Sequence, residues 1–492
     1  MNGLIQLITI IEPDLSSSFE GNLRVLYIAI RNNKLTTEEE GMNLFFKGNR
    51  HQKKYFNKLK NDLKKILRNH LLNTPSLNLS SQAAKKIVEC YKVVAEVKLL
   101  IKFNAIEEAA NIAKQCLVQA LSYNLHKVAF ILAEDLQFIE ALINKQFSEA
   151  EVYDEIAKKQ LELSQIENQV QTYFAIIGGQ LNSTRSSPND FQEEINCYAL
   201  KVQQYLNLNS TSINIYVYNI LIVRHYTHYD YSKIIEVCKE ANNFFLNSKY
   251  PEKRYSFLYK IVPPLIVLKR YLEARNNIND AIELSNIGTI NWSICNYYSL
   301  VLYFYEQNYQ QAYQVYHSVK KYGDKIYQGL GEDWLILKAY LSFFIKTKHI
   351  QTQQVEHFKL SKFLNELPEA SKDKSGNNIN IVIVQILHLL LNNKGALIDQ
   401  TEAFEKYIRR HLKDPTLVRA KLFLMMLLRI PKNHFHKTAV LRKTQKLQQQ
   451  LADTPIKMRQ NLSIEIVPYE VLWEIVLDQL ENKFVGNKKK RR

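Results

Sequence analysis

YSKIIEVCKEA (231–241), YLEARNNINDA (271–281) and YQQAYQVYHSV (309–319) share one internal rhythm. Each opens on a tyrosine and then places a small or apolar residue three, seven and ten positions later. The sets are Tyr231, Ile234, Cys238 and Ala241; Tyr271, Ala274, Ile278 and Ala281; and Tyr309, Ala312, Tyr316 and Val319. Steps of three and four keep such residues on one face of an α-helix. The stretches start 40 and then 38 residues apart. A fixed spacing that returns at a near-constant period of this length is the mark of stacked helical repeats. Ile106, Ala109, Ala113 and Cys116 carry the same spacing, and Leu397, Gln400, Phe404 and Tyr407 keep a weaker version.

The rest of the chain fits this frame. At 492 residues it exceeds what one compact core accommodates, so an elongated array or several domains is expected. It is 46% apolar and 23% charged with only 13 Gly and 11 Pro, too little punctuation for many strands and hairpins. Helix-sized apolar stretches separated by short breaks run from 79 to 462. Gly- and Ser-containing loops are expected at 178–190 and 368–378, with a long helix over 147–177 before the first. Pro263 and Pro264 should end or kink the helix they interrupt. Residues 463–492 read as a terminal region. Ile464 to Val467 leads to a last helix with Val471, Leu472, Ile475, Val476 and Leu480 that caps the array, and a basic tail follows.

The segment Cys295–Lys320, with Tyr303 late in a first helix and Tyr309, Ala312, Tyr316 and Val319 on the second, resembles the tetratricopeptide repeat family. It departs from that family in carrying Leu300 where a glycine is usual, in lacking the terminal proline, and in a period longer than the family's repeat of about 34 residues. The resemblance covers roughly residues 200–450. It implies an all-α, right-handed superhelical solenoid of antiparallel helix pairs, with Tyr231, Ala241, Tyr271, Ala274, Ala281, Tyr309, Ala312 and Tyr316 at packing positions. It further implies a surface that takes a protein or peptide partner.

Residues 1–78 form a separate module of three helices. Leu23, Leu26, Tyr27 and Ile30 mark the first. Thr36 and Thr37, each followed three residues later by Glu39 or Glu40, are overlapping capping-box signatures for a second that ends near Gly48. The third carries Phe56, Leu59, Leu63, Ile66, Leu67 and Leu71 as its apolar stripe, with Lys53, Lys54, Lys58, Lys60, Lys64, Lys65 and Arg68 around it. An apolar stripe that is buried leaves these cations facing solvent. Residues 47–70 have a net charge of +8 and the five-residue end Lys488–Arg492 adds +5, so of the total +17 only +4 belongs to the remainder. Anionic partners are therefore to be sought at the two ends. Three short helices with a basic third one are what a helix-turn-helix presents to phosphates, so nucleic-acid contact through helix 50–72 is the alternative to protein binding.

Catalytic signatures are absent. Gly329 and Gly331 lack the third glycine of a dinucleotide loop, and no Gly-Lys-Ser or Gly-Lys-Thr occurs. His225 and His228 share a helical face but lack the further ligands a zinc ion needs, and His434 and His436 read as surface residues. The paired carboxylates Glu107–Glu108 and Glu193–Glu194 are solvated helix faces. The 29 tyrosines read as packing groups whose hydroxyls reach the edge of the core. Cys90, Cys116, Cys197, Cys238 and Cys295 are scattered, which suits core thiols in a reducing compartment. The apolar Leu4–Ile11 stretch has no basic residue before it and no cleavage site after it, and apolar runs elsewhere are too short to span a membrane. The reading is a cytoplasmic, non-enzymatic interaction scaffold with no cofactor, no metal and no membrane span.

Overall fold

The computed structural model describes residues 1–11, 14–47, 50–74, 81–181, 191–322, 331–352, 358–367, 377–458 and 464–482. These residues are helical throughout, with no strand among them and a single isolated bridge between His436 and Glu481. The chain forms two compact units, Met1–Glu162 and Leu163–Arg492. Helices beyond residue 78 thus join the first unit, where the sequence places a boundary at 78.

The first unit has two cores. One unites α1 (Asn2–Ile10), α2 (Gly21–Arg31), α3 (Glu38–Phe46) and α4 (Lys53–Asn73) around Leu4, Tyr27, Phe56, Leu63 and Leu67, all with no exposed surface. The sequence treats Leu4–Ile11 as an apolar start, whereas most of it lies in α1, whose Leu4 and Ile8 are buried. Of the two overlapping capping boxes, Thr37 with Glu40 forms: the Thr37 hydroxyl accepts from the Glu40 amide, and the Glu40 carboxylate accepts from the Thr37 amide at 3.0 Å. Gly41 lets α3 lie directly on α4, since a Cβ there would sit 2.2 Å from Phe56 Cζ. The second core is built by α5 (Gln82–Lys102), α6 (Ile106–Ser122), α7 (His126–Phe138) and the start of α8 (Phe147–Leu181). Its small residues Ala109, Ala113, Ala120, Ala129 and Ala133 have no exposed surface, which allows close helix approach. Gly178 and Gly179, assigned to a loop by the sequence, are helical; the remaining loop residues 182–190 lie outside the described residues.

The second unit continues with α9 (Gln192–Gln203), α10 (Thr211–Thr227), α11 (Tyr231–Leu246), α12 (Tyr255–Lys260), α13 (Val262–Val267), α14 (Tyr271–Glu283), α15 (Ile290–Tyr305) and α16 (Tyr309–Lys320). Then come α17 (Gly331–Lys346), α18 (Leu360–Glu366), α19 (Asn377–Asn392), α20 (Lys394–His411), α21 (Val418–Lys432), α22 (Lys437–Asp453) and α23 (Tyr469–Asp478). Helices pack on their sequence neighbours, as in α10 with α11, α14 with α15, α15 with α16 and α21 with α22. Alternate helices also meet: α12 and α13 with α15, α17 with α19, and α19 with α21. This neighbour-and-next pattern is that of stacked helix pairs. Ala241, Ala274, Ala281 and Ala312 have no exposed surface, Tyr309 and Tyr316 are buried, and Tyr231 and Tyr271 are half-buried. Pro263 and Pro264 start α13 immediately after α12 ends, where proline's missing amide hydrogen leaves no bond unmade. Of the second expected loop, 368–378, Asn377 and Asn378 are helical at the start of α19, and 368–376 lie outside the described residues, as does the basic tail.

One turn recurs inside the pairs. Asn104, Asn124, Tyr229, Lys269, Gln307 and Lys348 all have positive φ, and the amide of each following residue donates to the carbonyl five residues before it. Ala105 thus bonds Leu100 at 2.9 Å, Arg270 bonds Leu265 at 2.8 Å and Asn308 bonds Tyr303 at 2.9 Å. This is a Schellman closure. In five of these turns the residue after the left-handed one is already the N-cap of the next helix, and Asp230 and Asn308 complete it with side-chain oxygens. The tyrosines of the repeat rhythm are the first helical residues after it.

The segment after α22 does more than cap the last pair. The Tyr231 hydroxyl accepts from the Met458 amide at 3.1 Å, Lys457 Nζ stands 4.6 Å from the Tyr229 ring, and the Tyr305 hydroxyl donates to the Glu465 carbonyl at 3.0 Å. Met458, Ile464, Ile466 and Val467 are buried against the second unit. Arg419 holds this segment in place from below 10% exposure. Its guanidinium bonds Glu465 and Glu470 and the carbonyls of Leu451 and Thr454. The second unit therefore closes on itself, from its last helices back to α11.

Candidate functional site

Two groups of residues stand out, one in each unit. In the first, the stripe of α4 is buried through Phe56, Leu63 and Leu67, while Ile66 is 41% exposed and faces outward. Lys53, Lys54, Lys58, Lys65 and Arg68 are exposed, and Lys64 is half-buried. Lys60 departs from the sequence expectation that all the lysines face solvent. Its side chain is 12% exposed, its Nζ lies 2.6 Å from Glu38 Oε1, and it stands 5.0 Å from the Phe56 ring. The hydrogen bond from Lys60 holds the Glu38 carboxyl below its usual range. Lys60 thus ties α4 to the first turn of α3 and is withdrawn from any phosphate-facing set.

In the second unit, α10, α12 and α15 bring tyrosines and lysines together. Tyr255 and Tyr259 are adjacent on α12 with ring centroids 6.1 Å apart, and Tyr259 stacks on Tyr298 of α15, also at 6.1 Å. Lys260, half-buried, donates to Asn219 Oδ1 on α10 and lies 5.8 Å from the rings of Phe257 and Tyr259. No described carboxylate pairs with it. Burial, the dominant cause, lowers its pKa to about 8, because the ammonium is desolvated without a countercharge. Burial likewise raises Tyr259 and Tyr298 well above the usual phenol range, and the α11 thiol of Cys238 to about 12. Lys253, 4.5 Å from the Tyr250 ring, is also lowered by burial. Tyr255, Tyr259 and Tyr298 thus form an aromatic shelf, half-buried at Tyr255 and Tyr259 and buried at Tyr298, with the Lys260 ammonium beside the Tyr259 ring.

The residues weighed for chemistry fall elsewhere. His228 is exposed at the end of α10, where its Nδ1 meets the Arg224 carbonyl at 2.8 Å, and His225 is lowered by burial. His436 caps α22 by accepting from the Ala439 amide, while His434 is exposed in the preceding turn. Among the described residues no three His, Cys, Asp or Glu gather in a way that could hold a metal ion. Four of the cysteines are buried and Cys197 is exposed. No described helix is long and apolar enough to cross a membrane.

The sequence reading used Pro263 and Pro264 as breakers and passed over the Tyr255–Lys260 stretch before them. A lysine at the end of a run of aromatics, next to a forced helix break, is the local signal that was available. Its partner Asn219 is 41 residues away and no local pattern announces it. No protein-family profile, curated protein or solved structure matches the chain.

Proposed function

We propose that this protein is a non-enzymatic scaffold whose second unit is a right-handed, tetratricopeptide-like array that binds a protein or peptide partner. The observation that supports this most directly is the Tyr255, Tyr259, Tyr298 and Lys260 shelf. It lies on first helices of successive pairs, and its amine has no acidic partner among the described residues. Lys260 is half-buried and donates to one amide oxygen, which leaves its remaining N–H groups for acceptors on a partner. The test is affinity capture with the full-length chain and with a Tyr255→Ala/Tyr259→Ala variant of unchanged melting temperature. Loss of the captured partners supports the reading. Recovery of the same partners at the same yield by both chains removes it.

A second reading has its own support, in the exposed Lys53, Lys54, Lys58, Lys65 and Arg68 on α4. In it the first unit contacts nucleic acid and the helix array serves assembly or sensing. Neutralising those five cations in the full-length chain should then abolish retardation of nucleic acid at low salt. Retardation that survives the change counts against α4 as the contact.

A further inference from the structure

Residues 406–446 contain twelve Lys and Arg against one acid, Asp414, a net charge of +11. A total of +4 for everything outside the two basic segments conceals this, because acidic stretches elsewhere cancel it in the sum. Charge acts locally, within a Debye length of about 8–10 Å, so the cancellation has no counterpart at the surface itself.

The structure sorts these cations by what they touch. Arg419 is used inside the fold, and Lys406, Lys432 and Lys437 face Glu402, Glu405 and Asp478. Eight others are exposed and make no ion pair with a described carboxylate. Arg409 and Arg410 lie in the last turn of α20, Lys413 follows it, and Lys421 and Arg429 lie on α21. Arg442, Lys443 and Lys446 occupy α22. Because α21 packs against both α20 and α22, the three axes lie within about 20 Å of one another. On α21 the cations belong to one outward stripe, Val418, Lys421, Met425, Arg429 and Lys432, at helical spacing.

The apolar content of this region decides between anionic partners. Its exposed large hydrophobic residues are Val418 and Leu441, each 38% exposed. A helix that lies in a membrane interface needs a broad apolar face with aromatic or aliphatic anchors, which these helices lack. Four of the eight cations are arginines, whose planar fork matches phosphate oxygens in pairs. We propose that the α20–α22 surface binds the phosphate backbone of nucleic acid, without reading sequence, and independently of α4. This goes beyond the scaffold reading and does not rest on the Tyr255–Lys260 shelf.

The test uses the full-length chain with a fluorescent 20-nucleotide RNA and a 20-base-pair DNA duplex, followed by anisotropy across a salt series. One variant carries Arg429→Gln, Arg442→Gln, Lys443→Gln and Lys446→Gln; a second carries Lys53→Gln, Lys54→Gln, Lys58→Gln and Lys65→Gln. If about four phosphates are contacted, log affinity for the duplex should fall against log salt with a slope of about −3.6. The first variant should bind at least about tenfold more weakly at 0.1 M salt, with a slope shallower by about 2, at an unchanged circular dichroism spectrum and melting temperature. The second variant should keep most of the slope. Unchanged affinity and slope in the first variant overturn the proposal, as does a loss confined to the second. Equally tight binding of poly-L-glutamate, or binding of anionic phosphatidylserine vesicles in place of nucleic acid, also overturns it and assigns the surface to an acidic protein or a membrane.

Discussion

Arg419 and Lys260 are both withdrawn from water in the second unit, and the fold treats them in opposite ways. Arg419 is 7% exposed and has an acceptor on each guanidinium nitrogen. Glu465 lies at 2.6 Å from Nε, Glu470 lies at 2.8 Å from Nη2, and the carbonyls of Leu451 and Thr454 take Nη1 at 2.8 and 2.7 Å. Lys260 has one amide oxygen and two ring faces. The chain evidently has the means to satisfy a buried cation where closure of the unit requires it. Lys260 lacks such a network, which separates a cation fixed by the fold from one held at a cost in stability, since fully connected polar networks specify structure and incomplete ones cost stability.

The comparison breaks most visibly at Arg419. Replacing it with Met leaves Glu465, 4% exposed, as a buried carboxylate without its cation and frees two carbonyls. Breaking a buried pair by removing one partner costs about 3–5 kcal/mol. Urea unfolding of Arg419→Met should show a loss of that size, with the segment 454–458 becoming accessible to protease. Glu470→Gln, at a side chain 41% exposed, should cost much less. A loss below about 1 kcal/mol for Arg419→Met would mean that apolar packing alone holds the C-terminal segment, and the contrast with Lys260 would vanish.

The opposite sign is expected at Lys260. The unfolded chain holds this proton up to the ordinary 10.5, while the folded chain releases it above about 8. Between those values the unfolded state binds more protons, so the contribution of Lys260 to stability rises with pH through this window and is flat and unfavourable below it. Lys260→Met should therefore stabilise the protein at pH 7 by about 1–3 kcal/mol, and the gain should shrink toward pH 10. The comparison is between the two chains at each pH, because the raised pKa values of Tyr259 and Tyr298 act alike in both. A variant less stable than the parent at pH 7 would show that Lys260 is a structural group like Arg419.

What the sequence disclosed and what it withheld divide along chain distance. The helices from Tyr231, Tyr271 and Tyr309, the cap at Thr37 and Glu40, and the break before Pro263 were legible, because each is written within one or two turns. The first helix, Asn2–Ile10, was missed; it has no side-chain cap and no acid in its first turn, so nothing marks its start. Gly178 and Gly179 were read as a loop, yet each costs only about 1 kcal/mol in a helix, which a helix of 35 residues tolerates. The shelf and the clasp depend on pairs far apart in sequence: Lys260 with Asn219, 41 residues away, Arg419 with Glu465, 46 away, and Tyr231 with Met458, 227 away. Periodicity carries no information about such pairs. The basic stretch 406–446 is written plainly in the sequence, but acids in other segments cancel it in any sum over the middle of the chain.

The smallest expected effect concerns the turn that the repeat rhythm leaves unannounced. Tyr229, Lys269, Gln307 and Lys348 follow one another at 40, 38 and 41 residues, all in the left-handed region, yet they are a tyrosine, a glutamine and two lysines, with no glycine among them. That variety is why the turn is invisible in the sequence, and it carries a strain, since a side chain with a Cβ is disfavoured there by roughly 1 kcal/mol relative to glycine. Lys269, Gln307 and Lys348 are exposed, so their side chains contribute little packing to offset that strain. Gln307→Gly and Lys269→Gly should each stabilise the protein by about 0.5–1 kcal/mol, read as a rise in the urea midpoint at constant slope. Gln314→Gly, on the exposed face of α16 seven residues on, should destabilise it by about 1 kcal/mol, because there the same change only adds backbone entropy to the unfolded chain. Opposite signs from one substitution type on neighbouring exposed sites would identify the turn as the element that sets each helix pair. The same sign at all three positions would mean that the left-handed turns are not held in solution, and the repeat would then rest on the buried alanines and tyrosines alone.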